Sequence, residues 1–137
     1  MTWYYEQKEI TTLPAEYAGF VYCITNNLNG RKYIGQKVSK NKITRPPLKG
    51  FKRKRVEYKE SDWQDYYGSS EELKADIARY GKENFTREII KLCGTKGELN
   101  YEELKEQVIR GVLESDEYYN GIIDCKIHKR HVPKLMD

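Results

Sequence analysis

The chain has no run approaching the ~18 consecutive apolar residues of a membrane helix, which excludes a helical membrane-spanning protein. Its opening residues, Met1 to Glu6, contain no basic end followed by an apolar stretch, so no secretory signal is read there and a cytoplasmic location is expected. Cysteine is scarce: Cys23, Cys93 and Cys125 lie far apart, odd in number and in no metal-ligand spacing. Reduced thiols fit this pattern better than a disulfide framework or a zinc site. Hydrophobic residues make up 38% of the 137 and charged residues 34%, so a single small-cored domain with a heavily charged surface is expected.

Net charge is also low, at +4, but it is unevenly placed. From Lys37 to Arg55 there are nine basic residues and no acidic one, leaving the other 118 residues at about −5. A concentrated cationic segment on a mildly acidic body suits a polyanion, because each neutralised phosphate releases condensed counterions. A solvated loop is the plain alternative.

Aromatic and β-branched residues make Gly19–Thr25 a strand, and the Asn29-Gly30 pair turns it into a hairpin with a return strand over Arg31–Gln36. Residues 1–17 read as an irregular or short-strand lead-in around Pro14. Pro46, Pro47 and Gly50 argue against a helix in the cationic segment, so a basic loop over 37–59 is expected. Ser69, three residues before Glu72, reads as a capping box for a helix that carries Leu73, Ile77 and Tyr80 and stops at Gly81. Asn84–Cys93 reads as a third strand and Gly94–Gly97 as a turn. From Tyr101 to about Leu113, the stripe of Leu104, Val108 and Val112 predicts a second amphipathic helix. A short basic tail, 124–137, closes a single α+β domain without internal repeats.

The hairpin carries two tripeptides, Phe20-Val21-Tyr22 and Tyr33-Ile34-Gly35, whose spacing resembles the signature of the GIY-YIG nuclease family. The segment Asp76–Phe85 is similar to the helix-to-strand passage of phage and homing members, and Tyr119-Asn120 stands where such modules often end with asparagine. The resemblance spans residues 19–123. It implies a small three-stranded antiparallel sheet flanked by helices, and a phosphodiesterase site on the sheet face that uses one divalent ion, usually Mg²⁺ with Mn²⁺ as a substitute. It also implies a catalytic set of two tyrosines, an arginine, a helix glutamate that binds the metal, and a late asparagine.

Phosphodiester hydrolysis needs a positioned water, charge relief on phosphorus and help for the departing alkoxide. Counting outward from the turn brings Tyr22 within about two residues of Tyr33–Gly35, so the phenols can share one face, and either can activate or orient water. Gly35 would permit close approach of backbone or phosphate. The arginine departs from the family pattern, since the region after the second tripeptide is proline-interrupted and holds neither His128 nor His131. Arg45 is the first choice, with Arg53 and Arg55 as rivals. Lys32 and Lys37 flank the second tripeptide and could touch the scissile phosphate. Lys40, Lys42, Lys52, Arg53, Lys54 and Arg55 are candidates for the nucleic-acid backbone. Glu103 is the candidate metal ligand, with Glu106 one turn on as its rival, and a helix-capping role for Glu103 is the plain alternative. Asn120 would orient the metal ligand or the phosphate, or else serve a turn. The leading reading is a metal-dependent DNA endonuclease, monomeric or homodimeric; a noncatalytic nucleic-acid-binding protein on the same fold is the alternative. A basic protein-interaction module would explain the charge but not the ordered signature.

Overall fold

Gly19–Asn26, the most uniformly buried segment of the chain, becomes the interior strand β3 of a five-stranded sheet. The computed structural model describes residues 2–124 and 130. The tail residues Lys126, His128, Lys129 and His131, together with Cys125, lie outside the described residues. In chain order the elements are β1 (Trp3–Tyr5), β2 (Lys8–Ile10), β3 (Gly19–Asn26), β4 (Lys32–Val38), β5 (Lys40–Arg45), β6 (Arg55–Glu60), α1 (Glu71–Tyr80), β7 (Phe85–Cys93) and α2 (Lys96–Ile109). Among the described residues no helix is long and apolar enough to cross a membrane.

The sheet runs β2-β1-β7-β3-β4. Its β7-β3-β4 portion is the expected antiparallel three-stranded unit. The lead-in widens it, because β1 pairs parallel to β7 with Trp3 opposite Arg87, and β2 folds back on β1. Trp3 is buried, and its indole N–H donates to the Trp63 carbonyl at 2.8 Å. Burial of these large rings is what holds so short a strand in place.

Alternation along β3 divides the interior into two layers. Phe20, Tyr22 and Ile24 point toward Trp3, Trp63, Leu73 and Ile77, beneath α1 and the segment before it. Val21 and Cys23 point the other way with Ile34, Leu99 and Val112, beneath α2. Cys23 and Cys93 are free, buried thiols.

Three sequence expectations need correction. The segment 37–59 is not a loop: β5 and β6 pair antiparallel from Lys40↔Glu60 to Arg45↔Arg55 as a separate two-stranded ribbon. Ile43, Thr44, Val56 and Tyr58 supply strand propensity, and both prolines fall in the connection beyond the ladder, where they remove no bond. The cap of α1 is Ser70, whose hydroxyl accepts the Leu73 N–H at 3.3 Å, not Ser69. The second helix starts five residues early, because Thr95 accepts the Glu98 N–H at 3.1 Å, and it ends before Gly111, which adopts φ +61°. Its inward side is Leu99, Glu102 and Gln107, while Val108 and Ile109 are exposed, so the expected apolar stripe does not mark the packed face.

Candidate active site

The hairpin register sets Tyr22 opposite Gly35 and Ile24 opposite Tyr33, so the two tyrosines lie diagonally on one face of adjacent strands. Their ring centroids are 6.1 Å apart at an interplanar angle of 39°. Gly35 is what permits this. A Cβ there would overlap the Tyr22 hydroxyl, lie 2.7 Å from Tyr22 Cζ and 3.0 Å from Tyr33 Cε2. Tyr22 therefore reaches across the backbone of the edge strand β4 instead of standing upright. On its other side the β3–β7 register shifts between Val21 and Tyr22, a bulge beside the tyrosine of the kind that re-aims a side chain.

The face holds more than the two tripeptides. Tyr66 packs edge-on to Tyr22 at 5.9 Å. Ser69, freed from helix capping, lies 2.9 Å from the Tyr33 hydroxyl as its hydrogen-bond partner. Lys37 follows Tyr33 and Gly35 on the same strand face, its Nζ 4.2 Å over the Tyr66 ring and 2.6 Å from Asp62. Buried Arg87 holds this region from below, donating to the carbonyls of Gln64 and Tyr66 at 2.9 Å each while lying between the Trp3 and Tyr67 rings. Tyr66, Ser69 and Arg87 were missed by sequence reasoning. The only signal for Tyr66 and Ser69 was the aromatic and serine density of Trp63–Ser70, and Arg87 stands in the expected third strand with nothing in the sequence to mark it.

Burial dominates the titration of both motif phenols. It pushes Tyr22 well above its usual range, with Tyr66, Tyr33 and Glu103 adding to the shift. Burial also raises Tyr33, opposed by the Ser69 hydrogen bond and reinforced by Tyr66 and Glu103. Both are neutral hydroxyls at neutral pH, suited to donating or accepting a hydrogen bond; a phenolate would need added positive charge nearby.

Glu103 stands on α2, on the sheet face that Gln36 shares and opposite the phenols, and its charge adds to the upward shift of both. Its Oε1 accepts from Gln36 Nε2 at 3.0 Å, and Asn100 Oδ1 accepts from the same amide at 2.8 Å. Gln36 Oε1 in turn accepts from Lys96 Nζ at 2.6 Å. Burial raises the Glu103 carboxyl, with Gln36 and Lys96 opposing. Glu106 is committed elsewhere, ion-paired with Arg110 at 2.9 Å on the same helix. Among the described residues there is no group of three or more His, Cys, Asp or Glu side chains placed around one point to hold a metal. The donors that fit a divalent ion are instead the Glu103 carboxylate and neighbouring amide oxygens. That hard-oxygen set suits Mg²⁺ or Mn²⁺, which retains several waters and takes substrate phosphate as further ligands.

The remaining candidates separate. Asn120 is buried and its amide is spent on β4: Oδ1 accepts the Ile34 N–H at 3.0 Å and Nδ2 donates to the Ile34 carbonyl at 2.8 Å. It braces the middle of the second tripeptide rather than orienting Glu103. Strand alternation puts Lys32 on the face opposite Tyr33, with its ammonium on the Gly30 carbonyl, so only Lys37 of the flanking pair faces the phenols. Arg45 is not with the tyrosines either; it closes the far end of the ribbon in an ion pair with Glu57 at 2.7 Å. Arg55 lies opposite it, its Nε on the Pro46 carbonyl. Lys52, Arg53 and Lys54 lie exposed in the connection between the ribbon strands. Lys40 and Lys42 line a groove of about 610 Å³ between ribbon and body, with Tyr17, Tyr58 and Lys96 on its walls.

Comparison with known proteins identifies what this arrangement is similar to. The family model described as "Putative endonuclease segE, GIY-YIG domain" matches residues 3–123. The curated protein of that name from Enterobacteria phage T4 is 33% identical over 103 residues, 74% of this chain. The matched region is 39% of that protein, so the chain spans well under half of its relative's length. No solved structure gave a significant match.

Proposed function

The chain belongs to the GIY-YIG domain family, and from that premise we propose that it is a metal-dependent endonuclease that hydrolyses phosphodiester bonds in DNA. The observation that supports this reading most is the convergence of Tyr22 and Tyr33 over Gly35 with the Glu103 carboxylate in electrostatic range. The space over Gly35 is filled by the two phenols, so it is their hydroxyls on the edge strand, not bare backbone, that would meet a sugar-phosphate backbone.

In this reading Glu103 holds the divalent ion, with Gln36 and Asn100 beside it. When bound, that ion supplies Lewis-acid charge relief and lowers the pKa of nearby oxygen acids. Tyr33, whose hydroxyl is set by Ser69, orients the attacking water, and Tyr22 with Tyr66 shapes the far wall of the pocket. Water oxygen forms the new bond to phosphorus and gives up a proton to solvent, the bond from phosphorus to the departing alkoxide breaks, and the alkoxide takes up a proton from solvent in return. Lys37 takes the cationic role that the sequence assigned first to Arg45, meeting a nonbridging phosphate oxygen once substrate competes with Asp62 for its ammonium.

The test is incubation of supercoiled plasmid with Mg²⁺, with Mn²⁺ and with EDTA, comparing wild type with Tyr33→Phe. Wild type is expected to nick or cut with metal and to stop with EDTA. Tyr33→Phe should lower the rate about 10²- to 10⁴-fold with little change in DNA affinity. A wild-type protein that binds DNA but cuts under no metal condition would replace this reading with a noncatalytic DNA-binding protein on the same fold.

A further inference from the structure

The ribbon β5–β6 has a tip that the cleavage site does not use. It carries nine basic and two acidic residues between Lys40 and Glu60, where the whole chain nets only +4. Both acids already have partners: Glu57 pairs with Arg45, and Glu60 accepts the Trp63 indole N–H at 2.8 Å. Most ribbon side chains are exposed, and each strand of six residues extends about 20 Å, so it stands as an arm rather than as a core element.

At the end of this cationic arm are apolar groups. Leu48 is 52% exposed and Phe51 69% exposed. Pro46 and Pro47, with φ fixed by their rings, lead into a turn in which the Phe51 N–H donates to the Leu48 carbonyl at 2.9 Å. Gly50 takes φ +87° at the third turn position, the left-handed value a type II turn requires there. The turn thus brings Leu48 and Phe51 close as its two end residues, with Lys49, Lys52, Arg53 and Lys54 around them. An exposed Phe–Leu pair costs hydration in the free protein, and the surrounding charge excludes an ordinary apolar protein surface as its partner. Duplex DNA accommodates both features: phosphates for the basic flanks, and stacked bases between which an apolar wedge can enter from the minor groove.

We propose that the ribbon is a DNA-gripping arm whose Leu48–Phe51 tip inserts at a base step, unstacking and bending the duplex that is presented to the phenol site. This rests on the endonuclease reading, and its test separates the two. Binding is measured with metal chelated, so that the DNA stays intact, on end-labelled duplexes of about 30 bp whose energy transfer reports bending. Matched duplexes are compared with ones carrying a central mismatch, which is cheaper to unstack.

Wild type is expected to bend the duplex and to prefer the mismatch about tenfold. Leu48→Ala/Phe51→Ala should lose both the bend and the preference while keeping the salt dependence of affinity. Lys52→Ala/Arg53→Ala should keep the preference but lower the salt slope by about two. These tip side chains are exposed, so their replacement leaves the core intact. A wild-type protein that binds and cuts DNA without bending it or preferring the mismatch would overturn the wedge alone. No duplex binding even at low salt would overturn both.

Discussion

Glu103→Gln is expected to lower metal-dependent DNA cleavage about 10³-fold or more while making the folded protein more stable at neutral pH. On the proposed reading, loss of activity follows from removing the carboxylate that would hold the ion, since the neighbouring donors among the described residues are amides and Glu106 is held by Arg110. The gain in stability follows from the carboxyl's own environment. Burial holds its folded-state pKa above the ordinary carboxylate value, so the folded state binds this proton more tightly than the unfolded chain does. The associated stability is present at low pH and is lost as pH rises through the raised pKa. At pH 7 the ionised side chain is therefore a cost that the isosteric amide removes. Thermal unfolding should show the variant melting above wild type at pH 7 and level with it in acid. Mg²⁺ at about tenfold its Kd should raise the wild-type stability by about 1.4 kcal/mol and leave the variant unmoved. Equal cleavage by the two proteins would place the ion elsewhere.

Gly35→Ala should be damaging in both respects. The added methyl meets the ring and hydroxyl of Tyr22, and that ring cannot step aside: Trp3, Phe20 and Tyr66 stand 5.5, 6.3 and 5.9 Å from it by centroid. Overpacking of this kind costs about 1–3 kcal/mol, and displacing the phenols by about an ångström costs about 10²-fold in rate. Adding Tyr22→Phe to Gly35→Ala removes the clashing oxygen, so a double-mutant cycle by chemical denaturation should return part of the lost stability as a favourable coupling. Additive effects would mean that Tyr22 does not lie over Gly35.

Much of the phenol arrangement was legible before any coordinates. The hairpin itself was legible from Asn29-Gly30, but its turn is wider than that pair: Asn26 bonds Arg31 and Gly30 across it, and of the pair only Gly30 takes a positive φ. Counting outward left Tyr22 within about two residues of Tyr33–Gly35, able to share a face with Tyr33, and the structure pairs Thr25 with Lys32 and Tyr22 with Gly35, inside that window. Glu103 was legible as a helix carboxylate, but the face of α2 was not. The helix packs a polar side, Glu102 and Gln107, because each finds a partner: Lys91 for the first and the Ile34 carbonyl for the second. Helical periodicity sees only apolar stripes and cannot anticipate polar burial that tertiary hydrogen bonds offset. The ribbon was hidden by its prolines, which mark a turn as readily as a loop. The parallel pairing of Trp3–Tyr5 with Arg87–Ile89 spans more than eighty residues, beyond any local pattern. Ser69 and Ser70 show the finest grain of the problem. Either can cap a helix in sequence, and only the position of Tyr33 decides which one is drawn to the phenol.

The proposed cleavage needs one cation, held by Glu103 within reach of the two motif phenols, and Mn²⁺ makes such an ion directly visible. Paramagnetic broadening of the tyrosine ring and Gly35 amide signals should appear first at Tyr22, Tyr33 and Gly35 in wild type and vanish in Glu103→Gln. Broadening centred on Glu106 or Asp62, or spread evenly over the surface and unchanged in the variant, would contradict it.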